Sequence, residues 1–407
     1  MKRILLTWGL LFCLVCATVR AGERADSTVL GTLFNSSMFH PHSQDSLMRV
    51  RHDRTFFHQV GKVFTHFFRE FNNIDTAYIE PQHYIYTVML QNTNTYEEYT
   101  LYNSKGQKIS FAPDPSWRLG PYVGWSWVFL GYTLDLKHIN ASSQHSSKKE
   151  FDLSLYSSML GVDFFWRQTG NDYHIQRISL GDDINTDALR KVDFDGFKSS
   201  IRGLNVYYIF NHRKFSYPAA YSQSTMQRRS VGSWMVGLGY TRHKLEVDWG
   251  KLSALVDDRL GKDLDQQGQS RIDSSMMFSE VKYSDYSATI GYGYNWVFAR
   301  HWLFNASLSM GLAYNKSSSA GESDRLQIKN FRFKNFNLDG VGRFAIVWNN
   351  MRWYAGASTV IHSYNYKKDH FSTNNSFGSA NVYVGFNFGP KKRYRKAKQK
   401  VENASEI

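Results

Sequence analysis

The sequence predicts an all-β protein: a transmembrane antiparallel β-barrel of about 12 strands (10–14), with a short N-terminal amphipathic helix. Three observations carry this prediction. Stretches toward the C-terminus alternate with period two, apolar on one face and small or polar on the other. Aromatic residues are abundant, with 25 Tyr, 29 Phe and 11 Trp, and they sit at the ends of the apolar faces, whereas Pro numbers only 7. Beyond residue 21 there is no run of apolar residues long enough for a membrane helix. A barrel is compatible with that, because only alternate residues of each strand face lipid.

The chain divides into four expected parts. Residues 1–21 have the form of a signal peptide: Lys2 and Arg3, then an apolar stretch, then Val19-Arg20-Ala21 at a cleavage site. Cys13 and Cys16, the only cysteines, lie within it, so a processed chain would have no disulfide, thiol nucleophile or Cys-bound metal. Residues 22–80 read as a periplasmic N-terminal extension. Within it, Phe56, Val60, Val63, Phe64, Phe67, Phe68 and Phe71 mark one face of a helix over 53–71. Residues 81–389 read as the outer-membrane barrel, and 390–407 as a basic tail. The formal charge of +14 falls by three when Lys2, Arg3 and Arg20 are removed, and 391–399 (KKRYRKAKQ) carries six of the positive charges. Such a chain suits an anionic membrane surface, and the export signal argues against nucleic acid.

Strands are expected from Tyr84 onward. Segment 96–111 gives one or two. Segment 119–136 changes phase near 127, which places a turn or a bulge there. Segment 151–166 changes phase near Ser157, where a bulge is expected because each half looks too short to span. Strands at 201–210 and 231–243 follow. The clearest pattern is 302–315, with Trp302, Phe304, Leu308, Met310 and Leu312 on one face and Asn305, Ser307, Ser309 and Asn315 on the other. Segments 286–298, 336–348, 353–365 and 378–388 behave alike. Short connections at Arg300-His301 and Asn349-Asn350 alternate with longer polar ones at 316–330 and 367–376, as periplasmic turns alternate with external loops.

Residues 205–233 (NVYYIFNHRKFSYPAAYSQSTMQRRSVGS), together with 74–97 (IDTAYIEPQHYIYTVMLQNTNTYE) and 120–136 (GPYVGWSWVFLGYTLDL), resemble an uncharacterised family of Gram-negative outer-membrane proteins, the domain of unknown function numbered four-four-two-one. The resemblance spans about residues 60–390. It implies an exported β-barrel with no established activity and no catalytic residues to carry over.

Candidate sites are few. Asp135, Asp163, Asp339 and Arg343 fall on the face opposite the apolar one, so they are expected in the lumen; an ionised group facing lipid near the midplane costs about 2–4 kcal/mol. They would form either a salt-bridge network filling the barrel or a polar constriction. His212, Arg213, Lys214, Arg228 and Arg229 flank one strand and are candidates for binding an anionic group such as a lipopolysaccharide phosphate; Arg suits phosphate through its bidentate fork. The alternative is charge at strand ends beside headgroups. The loop at 167–198 carries Asp172, Asp182, Asp183, Asp187, Asp193 and Asp195, but no glutamate stands at the offset a calcium loop needs. Segment 251–265 reads as a short amphipathic helix. His40 and His42 lie in the N-terminal extension. His362 and Ser363 are neighbours on a strand and point to opposite faces, so they cannot serve as base and nucleophile. His212 with Ser222 or Ser224 has no evident third member.

The expected function is therefore a non-enzymatic structural barrel or a narrow pore for small polar solutes. The alternatives are a membrane-embedded lipid- or glycan-modifying enzyme and a barrel that binds surface polysaccharide. Expected partners are outer-membrane lipid including lipopolysaccharide and a small polar solute or glycan. No cofactor or metal is expected.

Overall fold

The computed structural model describes residues 73–125, 128–131, 134–135, 149–168, 173–181, 184–261, 272–278, 280–317, 336–368, 371–392 and 394–395. The expected signal peptide, the helix at 53–71, His40, His42, Asp172, Asp182, Asp183 and most of the basic tail lie outside the described residues.

β1 (Ile79–Pro81) precedes β2 (Tyr84–Asn103), which turns into β3 (Lys108–Pro113); β4 (Ser116–Trp125) continues along the same side of β2. β5 (Val128–Gly131) and β6 (Leu134–Asp135) lie end to end along β4. β7 (Lys149–Tyr156) and β8 (Leu160–Gln168) form a hairpin. β9 (Tyr173–Ser179) pairs with β3, and β10 (Val192–Asp193) with β9. Then come β11 (Phe197–Ile209), the short helix α1 (Pro218–Tyr221), β12 (Thr225–Gln227), β13 (Val231–Val247), helix α2 (Trp249–Leu260), β14 (Glu280–Ala299), β15 (Trp302–Ser317), β16 (Phe336–Asn349), β17 (Trp353–Lys368) and β18 (Phe371–Pro390). The main sheet runs β7-β8-β11-β13-β14-β15-β16-β17-β18-β2, all antiparallel, and β2 carries both β3 and β4 on its far side. β1 and β12 form a separate two-stranded ladder.

The sheet has sixteen strands among the described residues, against about twelve expected. Part of the surplus has a local cause. Pro113 and Pro115 interrupt the run opposite β2, since proline donates no ladder hydrogen bond. β9 and β10 are short additions branching from β3.

Three short connections, 157–159, 300–301 and 350–352, lie at one end of the sheet, the turn end; β2–β3 and β17–β18 join at the other, the loop end. Two expectations are corrected. Ser157 is a tight turn and no bulge: its hydroxyl accepts from Leu160 N at 2.9 Å, and its amide donates to Leu160 O. Residues 367–368 and 371–376, expected within a long loop, are strand, because β17 and β18 pair as far as Lys368 and Phe371. The phase change near 127 coincides with the hairpin between β4 and β5. Helix α2 begins slightly before the expected segment, with Asp248 capping Lys251 N at 3.0 Å.

The alternation is realised as predicted. Leu312 is 61 % exposed and its neighbour Ala313 fully buried; Leu238 is 72 % exposed. On β14 the outward band runs from Phe298 to Tyr286. Twelve steps of ~3.4 Å make ~40 Å of strand, which a tilt of ~40° reduces to ~30 Å, the height of a hydrocarbon layer with its aromatic borders. Trp296, Phe298 and Trp302 border the turn end, with ring centroids 5.4 and 6.0 Å apart. Tyr240 with Tyr286 and Tyr314 with Phe336 border the other, the loop end. Beyond Tyr240 the same face of β13 turns charged, with Arg242, Lys244 and Glu246.

The inward face curls on itself. Asn205 of β11 donates to the Tyr364 hydroxyl of β17 at 3.3 Å, and Asn375 of β18 donates to that of Tyr283 in β14 at 2.8 Å. Interior rings lie flat over facing glycines. A Cβ at Gly161 would stand 2.1 Å from the ring of Tyr207, and one at Gly385 would stand 2.1 Å from that of Tyr354. At the loop end the interior is an apolar core in which Tyr99, Phe111, Ile175, Phe194 and Phe197 pack with Leu252 and Val256 of α2.

Candidate functional site: the filled interior

Inward phase puts Asp163 on β8 and Asp339 and Arg343 on β16 inside the curled sheet, each at most 4 % exposed. The Arg343 guanidinium forms an ion pair with Asp163 and stacks 5.0 Å from the centre of the Tyr207 ring. Ser154 donates to the second oxygen of Asp163 at 2.7 Å. A buried charge requires such partners, because desolvation of an isolated ion costs several kcal/mol. Nearer the loop end, Arg167 pairs with Asp152 at 2.7 Å and lies 4.8 Å from the centre of the Phe377 ring. Asp339 accepts from Asn365 N at 3.2 Å. His243 stands 3.3 Å from Asp285, its ring stacked on Tyr283. The remaining lumen candidate, Asp135, is in register with Arg118 of β4; its side chain lies outside the described residues.

The turn end is closed by chain. The connection between β11 and β13, residues 210–230, folds inward and carries α1 with it. Ala219 and Ala220 bury against Leu303, Ala345 and Val347 of the wall. Phe215 and Tyr217 pack on Tyr207 and Met235. Polar wall side chains fix this plug. Gln227 accepts from Ser216 N at 3.0 Å and from Asn295 at 2.9 Å, and donates to Lys214 O at 2.7 Å. Asn305 donates to Asn295 and accepts from the Tyr221 hydroxyl, both at 2.6 Å. Gln223 donates to the Tyr383 hydroxyl at 2.8 Å. Between plug and loop-end core, a cavity of about 30 Å3 lined by Asn205, Ser287, Asp339 and Arg343 remains. That is room for a water molecule or two.

The sequence does not announce this latch: the basic residues 212–214 and 228–229 read as flanking one strand, whereas the segment between them holds α1 and only the three-residue β12. One signal was available. Asn295, Asn305, Asn349 and Asn387 all occur on inward faces near the turn end, a ring of amides with no reason to face a packed apolar lumen.

The five basic candidates do not converge on one anion site. His212 is buried against Tyr208. Arg213 bonds Asp75 through its backbone oxygen at 2.7 Å. Lys214 and Arg229 lie 5.0 and 5.7 Å from the centre of the Tyr78 ring, and Arg228 pairs with Glu80 at 3.0 Å. All lie at the turn end, where Arg213, Lys214, Arg228 and Arg229 hold residues 75–80 against the plug. Ser222 and Ser224 bond each other at 3.1 Å. His362 is buried and stacked on Phe377, and Ser363 bonds Asn374 on the other face. Asp195 pairs with Lys251. Among the described residues no group of three or more His, Cys, Asp or Glu is placed to hold a metal.

The family model described as a domain of unknown function (DUF4421) matches residues 73–388. No curated protein matches the chain. Among solved structures, it is similar to the outer membrane protease OmpT of Escherichia coli, at 6 % identity over 78 % of this chain and 100 % of that one, with a TM-score of 0.28. The toluene transporter TodX of P. putida aligns at 9 % identity over 75 % and 91 % of the two chains, with a TM-score of 0.20. The outer membrane protein OprG of Pseudomonas aeruginosa aligns at 11 % identity over 76 % and 98 %, also with a TM-score of 0.20.

Proposed function

The chain belongs to the family described as a domain of unknown function (DUF4421), and from that starting point we propose that it is an outer-membrane β-barrel protein that does not conduct, a sealed structural barrel bearing a packed head. The exposed apolar band with aromatic borders supports a lipid-facing wall. The connections of two or three residues at 157–159, 300–301 and 350–352 support a periplasmic turn end, with the loop end, α2 and the β9–β10 branch outside.

One observation favours a sealed barrel over a pore: residues 210–230 pack into the turn end, and the cavity between them and the loop-end core measures about 30 Å3. Such packing argues against passage of a small polar solute. The polar faces that suggested a constriction are consumed by the ion pair of Arg343 with Asp163 and by the amide latch on the plug.

Planar-bilayer recording tests this. The full chain is expected to give no steady channels at high protein load, and a chain whose plug residues 213–228 are replaced by a short Gly-Ser linker is expected to give stepwise currents. Steady channels from the unaltered chain would overturn the reading.

A further inference from the structure

A basic cleft opens at the turn end, beside the lipid-facing border. Its volume is about 510 Å3, and its walls come from three places: Ala77, residues Met226–Arg229 and residues Val297–His301. That size lies within the ~300–1,000 Å3 of small-ligand sites. The walls have local causes. The β14–β15 register slips between Trp296 and Ala299, so Val297 leaves the ladder and its amide takes the Ser230 hydroxyl at 2.9 Å. The two-residue turn that follows holds His301 at φ +67°, a left-handed conformation uncommon for a residue with a side chain.

Three guanidinium groups, of Arg228, Arg229 and Arg300, line the cleft with the imidazole of His301. Glu80 neutralises Arg228 at 3.0 Å. Among the described residues no carboxylate pairs with Arg229, Arg300 or His301. The other wall includes Phe298, 42 % exposed and in line with Trp296 and Trp302. The cleft therefore joins uncompensated positive charge to the apolar border. That juxtaposition matches a molecule with an anionic head and a hydrocarbon tail.

We propose that this cleft binds the phosphate of an anionic phospholipid in the leaflet at the turn end. Arg229 and Arg300 take the phosphate oxygens, and Phe298 lies along the first acyl carbons. Lipopolysaccharide, the phosphate source expected from sequence, lies in the opposite leaflet under the orientation proposed above, on which this inference rests.

Native mass spectrometry of the detergent-purified full chain provides the test, with phosphatidylglycerol and phosphatidylcholine of identical acyl chains. The expected result is severalfold preferential retention of phosphatidylglycerol, abolished by Arg229→Ala with Arg300→Ala and kept by Arg300→Lys. An unchanged preference in the double alanine variant, or none in the parent, would overturn the site. Displacement of the lipid by millimolar inorganic phosphate would overturn the lipid assignment in favour of a soluble anion. A parent chain that needs no detergent to stay in solution would instead defeat the membrane reading. A detergent-dependent chain with no lipid preference would defeat the cleft alone.

Discussion

Arg343 of β16 and Asp163 of β8 meet inside the curled sheet, although β15, β14, β13 and β11 lie between their strands. The contact joins opposite sides of the wall, and Tyr207 and Ser154 complete its shell. Truncating one partner leaves a buried charge, at a cost of roughly 3–5 kcal/mol. Arg343→Met alone is expected to lower the unfolding free energy of the detergent-folded protein by that amount. Arg343→Met with Asp163→Leu is expected to regain most of it. Additive losses in the double variant would refute a coupled pair.

The outward band gives a second expectation. Leu308→Arg puts a guanidinium near the middle of the apolar wall, at a cost of about 2–4 kcal/mol if that wall meets lipid. The yield of folded protein in lipid vesicles should fall sharply, whereas Ser309→Ala on the inner face should leave it nearly unchanged. Equal yields for both variants would count against a lipid-facing wall.

Packing over glycine gives a third. A methyl group at Gly385 would stand 2.1 Å from the ring of Tyr354, on the strand directly opposite. Gly385→Ala must displace that ring and the hydroxyl contact between Tyr354 and Thr87, which measures 2.8 Å. An overpacking loss of about 1–3 kcal/mol is expected in thermal unfolding. Pairing it with Tyr354→Ala should recover part of this, since the clash disappears.

The plug supplies a fourth. Gln227→Met keeps the shape but leaves Ser216 N and Lys214 O without the Gln227 side chain, and each unsatisfied buried group costs about 1–3 kcal/mol. Trypsin should then cut after Lys214 or Arg228 faster than in the parent protein. Identical digestion rates would show that the amide network does not hold the segment.

At the loop end, beyond the apolar band, Glu280 accepts hydrogen bonds from Lys244 and Lys282, which hold its carboxyl at about pH 2. A depressed carboxylate stabilises the fold above its ordinary pKa of 4.5, and that contribution fades as pH falls toward 2. The site is solvated, so Glu280→Gln should cost less than about 1 kcal/mol at pH 7. The difference between the two proteins should shrink steadily below pH 4.5 in a thermal-melt series and vanish only below about pH 2.

The outer wall was legible because a strand writes its two faces on alternate residues. Leu308 and Ser309 differ in exposure for that reason alone. The charge of Arg343 was legible as inward for the same reason, though its partner was not. Asp163 is 180 residues distant, and nothing local couples them. The plug was illegible on two counts. Residues 210–230 keep neither a period of two nor one of 3.6, and their anchors are far along the chain, Tyr383 standing 160 residues from Gln223. The basic residues there read as a ligand patch because composition records charge but not direction. In the fold, Arg228 and Lys214 turn toward Glu80 and Tyr78.

The ladder of β1 with β12 ties Ile79–Pro81 to Thr225–Gln227, the segment that carries Gln227. A pull on the chain upstream of residue 79 would thus load the stopper before any rung of the wall. It would strain three residue pairs and the hydrogen bond from Gln227 to Tyr78 O. That ladder is therefore also a handle, and traction on the chain at the turn end would draw the stopper out while the long strands of the sheet stayed paired.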